Sequence, residues 1–294
     1  MSHPSGSLPA TAFVGLGALG APMAANLLAA GAALTVHNRT RRKEEPLAAV
    51  GARRAATPRQ AAEGAAVLCL CLRDGAAVED VLFGTDGAAA GLRPGALVVD
   101  FSTIAPATSV ELAALLREKG VDYLDAPVTG GTEGARAGTL SVLVGGAAED
   151  VERARPQLEV VGARITPLGP VGAGQQAKAV NQVLVAGSYA AVAEAMVLGQ
   201  RLGLPMEAVR QALASGAAGS WALEHRAGNM LQNHYPLGFK LELHRKDLAI
   251  ALEAAAAAGL SLLVSEQVAA LEEELINAGH GGEDVSCLAR WYQR

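Results

Sequence analysis

Ala12-Phe13-Val14-Gly15-Leu16-Gly17-Ala18-Leu19-Gly20 decides the fold of this chain. An apolar strand runs into a G-x-G-x-x-G turn, and the turn opens a helix-like stretch from Pro22 to Ala30. Each glycine has its own physical reason there. Gly15 allows the tight turn, Gly17 lets backbone approach phosphate, and Gly20 lets the helix pack close to the strand. Gly15, Leu16, Gly17, Ala18, Leu19 and Gly20 are therefore predicted to cradle a dinucleotide pyrophosphate at the positive end of the helix. Alone the spacing is a weak signal, because 34 glycines in 294 residues make chance matches plausible. The context carries the reading: a strand before, a helix after, and Gly31 closing that helix ahead of a second strand, Ala33–His37.

The end of the second strand sets cofactor preference. An acidic residue there, about 20 positions past the glycines, would hold a ribose 2′-hydroxyl and select NAD. This chain has Asn38-Arg39-Thr40, followed by Arg41-Arg42-Lys43. No carboxylate stands at the position to repel a 2′-phosphate, and cations are close. NADP(H) is the expected cofactor and NAD(H) the alternative, while a solvated basic helix start is the plainer account of the same charges.

Composition narrows the class. A chain of 294 residues with 51% hydrophobic content supports one large or two ordinary domains. A net charge of −5 argues against a nucleic-acid or membrane-surface partner. No apolar stretch has the length and flanks expected of a spanning helix, and the first nine residues read as a disordered tail, so a cytoplasmic location is expected. Cys69 and Cys71 share one face of the strand-like run Val67–Leu72 and read as small buried hydrophobes, with no metal site expected.

Between about residues 10 and 170, near-continuous apolar strands alternate with helix-like segments. That is the α/β class: an N-terminal Rossmann doubly wound domain, expected over 10–174, with a mostly parallel sheet covered on both faces. Strand signals then stop. A long helix of roughly seven turns, Ala177–Leu202, joins this domain to an all-α C-terminal domain over 175–294. Further helices are predicted at Pro205–Ala214, Ala222–Gln232, Asp247–Ala258 and Ser265–Ala278.

Ligands of a doubly wound sheet bind outside the carboxyl ends of its strands. Three segments fall there. Asp100-Phe-Ser102-Thr103 offers hydroxyls to a nicotinamide or ribose, with Ser109 a candidate helix cap. Asp125-Ala-Pro-Val-Thr129-Gly130-Gly131-Thr132 offers a hydroxyl and successive N–H groups to a substrate carboxylate, or is an ordinary turn. Gly169 to Gln182 leads into the long helix, with Lys178 and Asn181 three apart on one face. A lysine near a helix N-terminus among apolar neighbours has its pKa pushed down toward a useful range, whereas a snorkelling surface lysine is the plainer alternative.

These motifs, in this order, resemble the β-hydroxyacid dehydrogenases, the 3-hydroxyisobutyrate dehydrogenase-like family. The resemblance rests on Gly15–Gly20 with Pro22-Met23 and Asn26-Leu27, on Asp125–Gly131, on Gly172-Ala-Gly174 through Lys178-x-x-Asn181-Gln182, and on Lys246-Asp247-Leu248. It covers residues 12–293 and is most similar to the tartronate semialdehyde reductase (2-hydroxy-3-oxopropionate reductase) branch. It implies Lys178 as the general acid/base and Asn181 as the amide that orients substrate. Thr129, Gly130 and Gly131 would form the substrate-carboxylate loop, and Leu72, Thr103 and Lys246 would contact cofactor. The implied reaction interconverts a short β-hydroxy acid and its semialdehyde without a metal, in a homodimer or homotetramer. A glyoxylate/succinic semialdehyde reductase is the near alternative, and a non-catalytic NADP-binding sensor or scaffold the distant one. Three positions depart from the pattern. Thr129 stands where serine is common, Arg73 where proline is, and Trp221 where a smaller residue is usual.

Overall fold

A computed structural model describes residues 8–294. Residues 1–7 of the expected tail lie outside the described residues. Its last two residues are not tail-like: Leu8 packs against the core, and the Pro9 carbonyl accepts from Thr11 Oγ1.

The chain forms two compact units, one ending at Lys178 and one spanning Ala179–Arg294. The first is built on nine strands: β1 (Thr11–Val14), β2 (Leu34–His37), β3 (Arg53–Arg54), β4 (Val67–Leu70), β5 (Leu97–Asp100), β6 (Asp122–Asp125), β7 (Val128–Thr129), β8 (Leu140–Gly145) and β9 (Gly162–Gly169). Their order is β3-β2-β1-β4-β5-β6-β8-β7, with β9 pairing β8. Pairing is parallel from β3 across to β6, and β8 runs antiparallel to β6 and β7. Strand order reverses on either side of β1, and the glycine turn follows β1 at that switch point.

Alternation along the strands divides the core into two layers. Phe13, Val36, Cys69 and Val99 point to one face, where α1 (Gly20–Ala29) contributes Met23 and Leu27. Five more helices follow in chain order: α2 (Glu45–Ala49), α3 (Pro58–Ala62), α4 (Gly75–Phe83), α5 (Pro106–Arg117) and α6 (Gly131–Ala137). Ala12, Val14, Leu68, Leu70 and Val98 point to the opposite face, covered by Val78 and Leu82 of α4 and by Leu112 and Leu116 of α5. On the first face α7 (Ala148–Val161) adds Val151 and Leu158. Thr57 caps α3, accepting from Gln60 N, with Pro58 at the first helical position. Ser109 is not a cap. The helix starts at Pro106, and Ser109 lies one turn inside it, fully buried.

The long helix α8 runs Ala173–Arg201 and its residues from Ala179 onward belong to the second unit. One expectation needs correcting here: at 29 residues α8 is long and apolar enough to cross a membrane. Its buried face is that of a core helix, with Ala186, Ala193 and Met196 packed among Leu223, Met230, Leu248 and Val268. The rest of the second unit holds α9 (Met206–Ala214), α10 (Trp221–His225), α11 (Ala227–Leu231), α12 (Leu241–Ala257), α13 (Leu263–Leu275) and α14 (Ala289–Tyr292), with a π turn over Ile276–His280 and a 3-10 turn over Val285–Leu288. The single helix predicted over Ala222–Gln232 is two, broken at Arg226. Helix α12 starts six residues before the predicted Asp247, because the Glu283 and Gly281 carbonyls accept from its first N–H groups at Leu241 and Glu242.

Candidate active site

The glycine turn fits a dinucleotide. Gly15 sits at φ +101°, and a Cβ there would strike the Cys71 carbonyl and Leu72. A Cβ on Gly20 would strike the Gly15 carbonyl, so helix and strand approach as closely as a glycine allows. A Cβ on Gly17 would meet nothing within 4 Å, so this backbone faces open space in which phosphate can be approached. Helix α1 has no side-chain cap and no acidic residue in its first turn, which leaves its positive end suited to an anion.

Asn38 ties this turn to the end of β2. Its Oδ1 accepts from Leu16 N at 2.8 Å, and its Nδ2 donates to the Thr40 carbonyl at 3.0 Å. Its own N–H donates to Glu44 Oε1 at 2.9 Å. Glu44 is fully buried and also binds Arg41 and Arg54, each at 2.8 Å. Arg41, though exposed, is therefore engaged by Glu44 and the Ala55 carbonyl, while Arg39, Thr40, Arg42 and Lys43 are exposed too. Glu44 carried no sequence signal beyond being an acid in a basic run.

At the ends of β4 and β5, Ser102 organises the next segment. Its Oγ accepts from Leu72 N at 2.8 Å, and its own N–H donates to Asp100 Oδ1 at 2.9 Å. The Ser102 hydroxyl is thus engaged within the protein, accepting from main chain and bonding the Asp100 carboxyl. Thr103, beside it, is half-buried. Burial holds the Asp100 carboxyl up at about 6, despite bonds from Ser102 and the Tyr123 hydroxyl that favour its charge. Burial also lifts the Cys71 thiol to about 12 and Cys69 well above its usual range, so both behave as inert small hydrophobes.

At the end of β6, Asp125 accepts from Gly172 N at 2.7 Å and from Gln175 N at 2.8 Å. Burial raises its pKa, and these main-chain bonds oppose the rise. The carboxylate thereby fixes the start of α8 onto the sheet. Lys178 lies in the second turn of that helix and is 6% exposed, which removes the snorkelling alternative. Thr129 ends β7, and Gly130 and Gly131 follow with φ of +132° and +64°, a main-chain turn that side chains with a Cβ resist.

In the second unit Asn181 Nδ2 donates to Gln182 Oε1 at 2.6 Å, and Gln182 Nε2 donates to Asp247 Oδ2 at 2.8 Å. Asp247 pairs with Lys246 at 2.7 Å. Asn181 and Lys246 are thus linked through Gln182 and Asp247. Trp221 is 45% exposed, stacked on His225, with the Arg226 guanidinium 4.6 Å from its ring centre. Arg73 is exposed and lies 3.7 Å from Asp74. Glu44, Asp125, Gln175 and Gln182 are the organising residues to which sequence reading gave no role. All are buried polar groups, identifiable only once their partners are known.

Comparisons with known proteins agree across the whole chain. The NAD binding domain of 6-phosphogluconate dehydrogenase matches residues 10–169. The NAD-binding domain of NADP-dependent 3-hydroxyisobutyrate dehydrogenase matches residues 172–292. An NAD-dependent L-serine dehydrogenase of Pseudomonas aeruginosa is 40% identical over 288 residues, covering 96% of this chain and 97% of that one. The 2-hydroxy-3-oxopropionate reductase of Escherichia coli is 40% identical over 275 residues, covering 93% and 92%. Among solved structures, Mycobacterium tuberculosis 3-hydroxyisobutyrate dehydrogenase with L-serine superposes with a TM-score of 0.88 at 33% identity, covering 98% of this chain and 100% of that one.

Proposed function

Because this chain belongs to the 3-hydroxyisobutyrate dehydrogenase family of NAD(P)-dependent hydroxyacid dehydrogenases, we propose that it reduces a short carboxylate-bearing semialdehyde to the β-hydroxy acid, and runs the reverse, with NADP(H) preferred. The observation that carries this reading is the burial of Lys178 on a helix whose first turn is bonded to the end of a central strand. Burial keeps bulk water from competing for a proton transferred at this position.

When bound, the nicotinamide supplies or takes the hydride. In reduction Lys178 hands a proton to the carbonyl oxygen, and in oxidation it accepts the proton of the alcohol. Thr129 and the Gly130–Gly131 turn hold the substrate carboxylate. Asn181, one helical turn beyond Lys178 and anchored through Gln182 and Asp247, orients the substrate. Thr103 and Leu72 line the cofactor. Arg39 meets the 2′-phosphate with Asn38 and Thr40 beside it, since Arg41 is engaged by Glu44. A second copy of the chain covers the exposed stripe Val180, Leu184, Leu198 and Leu202 of α8, whose spacing repeats on one helix face. The mass measured in solution tests that part.

The decisive experiment is steady-state kinetics in both directions, with NADPH and NADH against tartronate semialdehyde, glyoxylate and succinic semialdehyde, and with NADP+ and NAD+ against 3-hydroxyisobutyrate and L-serine. Turnover of a β-hydroxy acid or its semialdehyde is expected, with kcat/KM higher for NADPH than for NADH. Lys178→Ala lowers kcat by about 10²–10⁴-fold while leaving cofactor affinity nearly unchanged. Undiminished turnover by Lys178→Ala would falsify the assignment, and equal efficiency with the two cofactors would remove the 2′-phosphate argument.

A further inference from the structure

Gln175 is 1% exposed, and both ends of its amide are committed to one loop. Its Nε2 donates to the Ser102 carbonyl at 2.8 Å, and its Oε1 accepts from Ile104 N at 3.2 Å. The two bonded residues bracket Thr103. On the other side, the Gln175 main-chain N–H donates to Asp125 Oδ2 at 2.8 Å. One side chain therefore joins the loop after β5 to the first turn of α8, three residues before Lys178. The same loop is held from two further directions, by Asp100 on Ser102 N and by Ser102 Oγ on Leu72 N.

We propose that Gln175 is a positioning residue for the reaction: its amide keeps the Thr103 loop in register with the helical turn that carries Lys178. The inference rests on the reading of Thr103 as a cofactor contact and Lys178 as the proton donor. A transferred hydride and a transferred proton must meet at adjacent atoms of one substrate. The loop lining the cofactor and the turn presenting the proton therefore need a fixed separation. The chemistry of the site selects an amide. One end must donate to a carbonyl and the other must accept from an N–H, and a planar amide does both. An ionised glutamate would set two acceptors against these partners, one of them facing the Ser102 carbonyl. A protonated glutamic acid restores the donor.

The test uses the full-length protein, with wild type, Gln175→Glu and Gln175→Met. In the cofactor-free protein, hydrogen exchange at the Ile104 amide reads the bond directly, and Gln175→Met should exchange there about tenfold faster or more. With NADPH and the best substrate, Gln175→Glu should lose about 10- to 100-fold in kcat relative to wild type at high pH and recover as pH falls. Asp100 and Asp125 face the same segment and titrate in both proteins, so the ratio to wild type at each pH isolates position 175. Gln175→Met should lose a similar factor at every pH with little change in the KM for NADPH. If Gln175→Glu does not fold, the Met variant decides alone, and a kcat within about twofold of wild type overturns the proposal. Unchanged Ile104 exchange in Gln175→Met, or faster exchange with unchanged kinetics, overturns it as well. Wild-type inactivity on the whole panel is a different failure. It removes the functional reading, while the exchange measurement still reports whether the loop and helix are joined.

Discussion

Two buried acidic regions at the carboxyl end of the same sheet are stabilised by different means. Beyond β2, Glu44 is enclosed by the guanidinium groups of Arg41 and Arg54, with one main-chain N–H from Asn38. At the ends of β5 and β6, Asp100 and Asp125 lie opposite each other on adjacent parallel strands. They are held by main-chain N–H groups and the Tyr123 hydroxyl. The first region balances charge with charge. The second balances charge with dipoles, and burial raises the pKa of both of its carboxyls. The difference matches the task proposed for each end. The β2 end must present a stable basic surface, whereas the β5 and β6 ends must fix main chain without adding cations beside a proton donor.

The sharpest way to break this contrast is Asp125→Ala. It strands the N–H groups of Gly172 and Gln175, and each buried orphan costs about 1–3 kcal/mol. Urea unfolding should show a loss of about 2–6 kcal/mol together with weakened activity. A loss under about 1 kcal/mol would mean that the start of α8 is held by packing instead.

A smaller effect is expected from Asp100→Asn, and it depends on pH. Burial raises this carboxyl to about 6 from its ordinary 3.8. The folded state thus binds the proton more tightly than the unfolded chain. The stability this contributes is full below about pH 4 and is lost as pH rises through about 6. Asp100→Asn should remove a decline on the order of 2 kcal/mol across that window, seen as a flatter plot of urea midpoint against pH. Parallel profiles for the two proteins would show that Asp100 titrates no differently in the folded chain.

The smallest effect belongs to Glu44→Gln. Arg41 and Arg54 are 43% and 35% exposed, so solvent screens them once the carboxylate is gone. A loss of about 1 kcal/mol is expected, with a severalfold rise in the KM for NADPH and little change in kcat. A loss larger than that of Asp125→Ala would invert the comparison.

Some elements were legible because their signal is local. The strand-glycine-helix order and the change from strands to helices near residue 170 depend only on neighbours in sequence. The sheet also proved mostly parallel, as continuous apolar runs require. The helix starts at Pro106 and Leu241 differ from those the sequence predicts, the latter because its first N–H groups are satisfied by carbonyls some forty residues away. The break at Arg226 likewise had no signal in an otherwise helical stretch.

Sequence by itself determined the fold class, the family and the residue types available for chemistry. Periodicity, turn geometry and the order of motifs are properties of the chain read in one dimension. Only the tertiary structure decided which polar side chains are buried and what they bond. Glu44 and Gln175 look like ordinary surface residues in the linear text, and Asp125 like the start of a ligand loop. Their roles arise because folding removes water from around them and leaves specific main-chain and guanidinium groups as the only replacements.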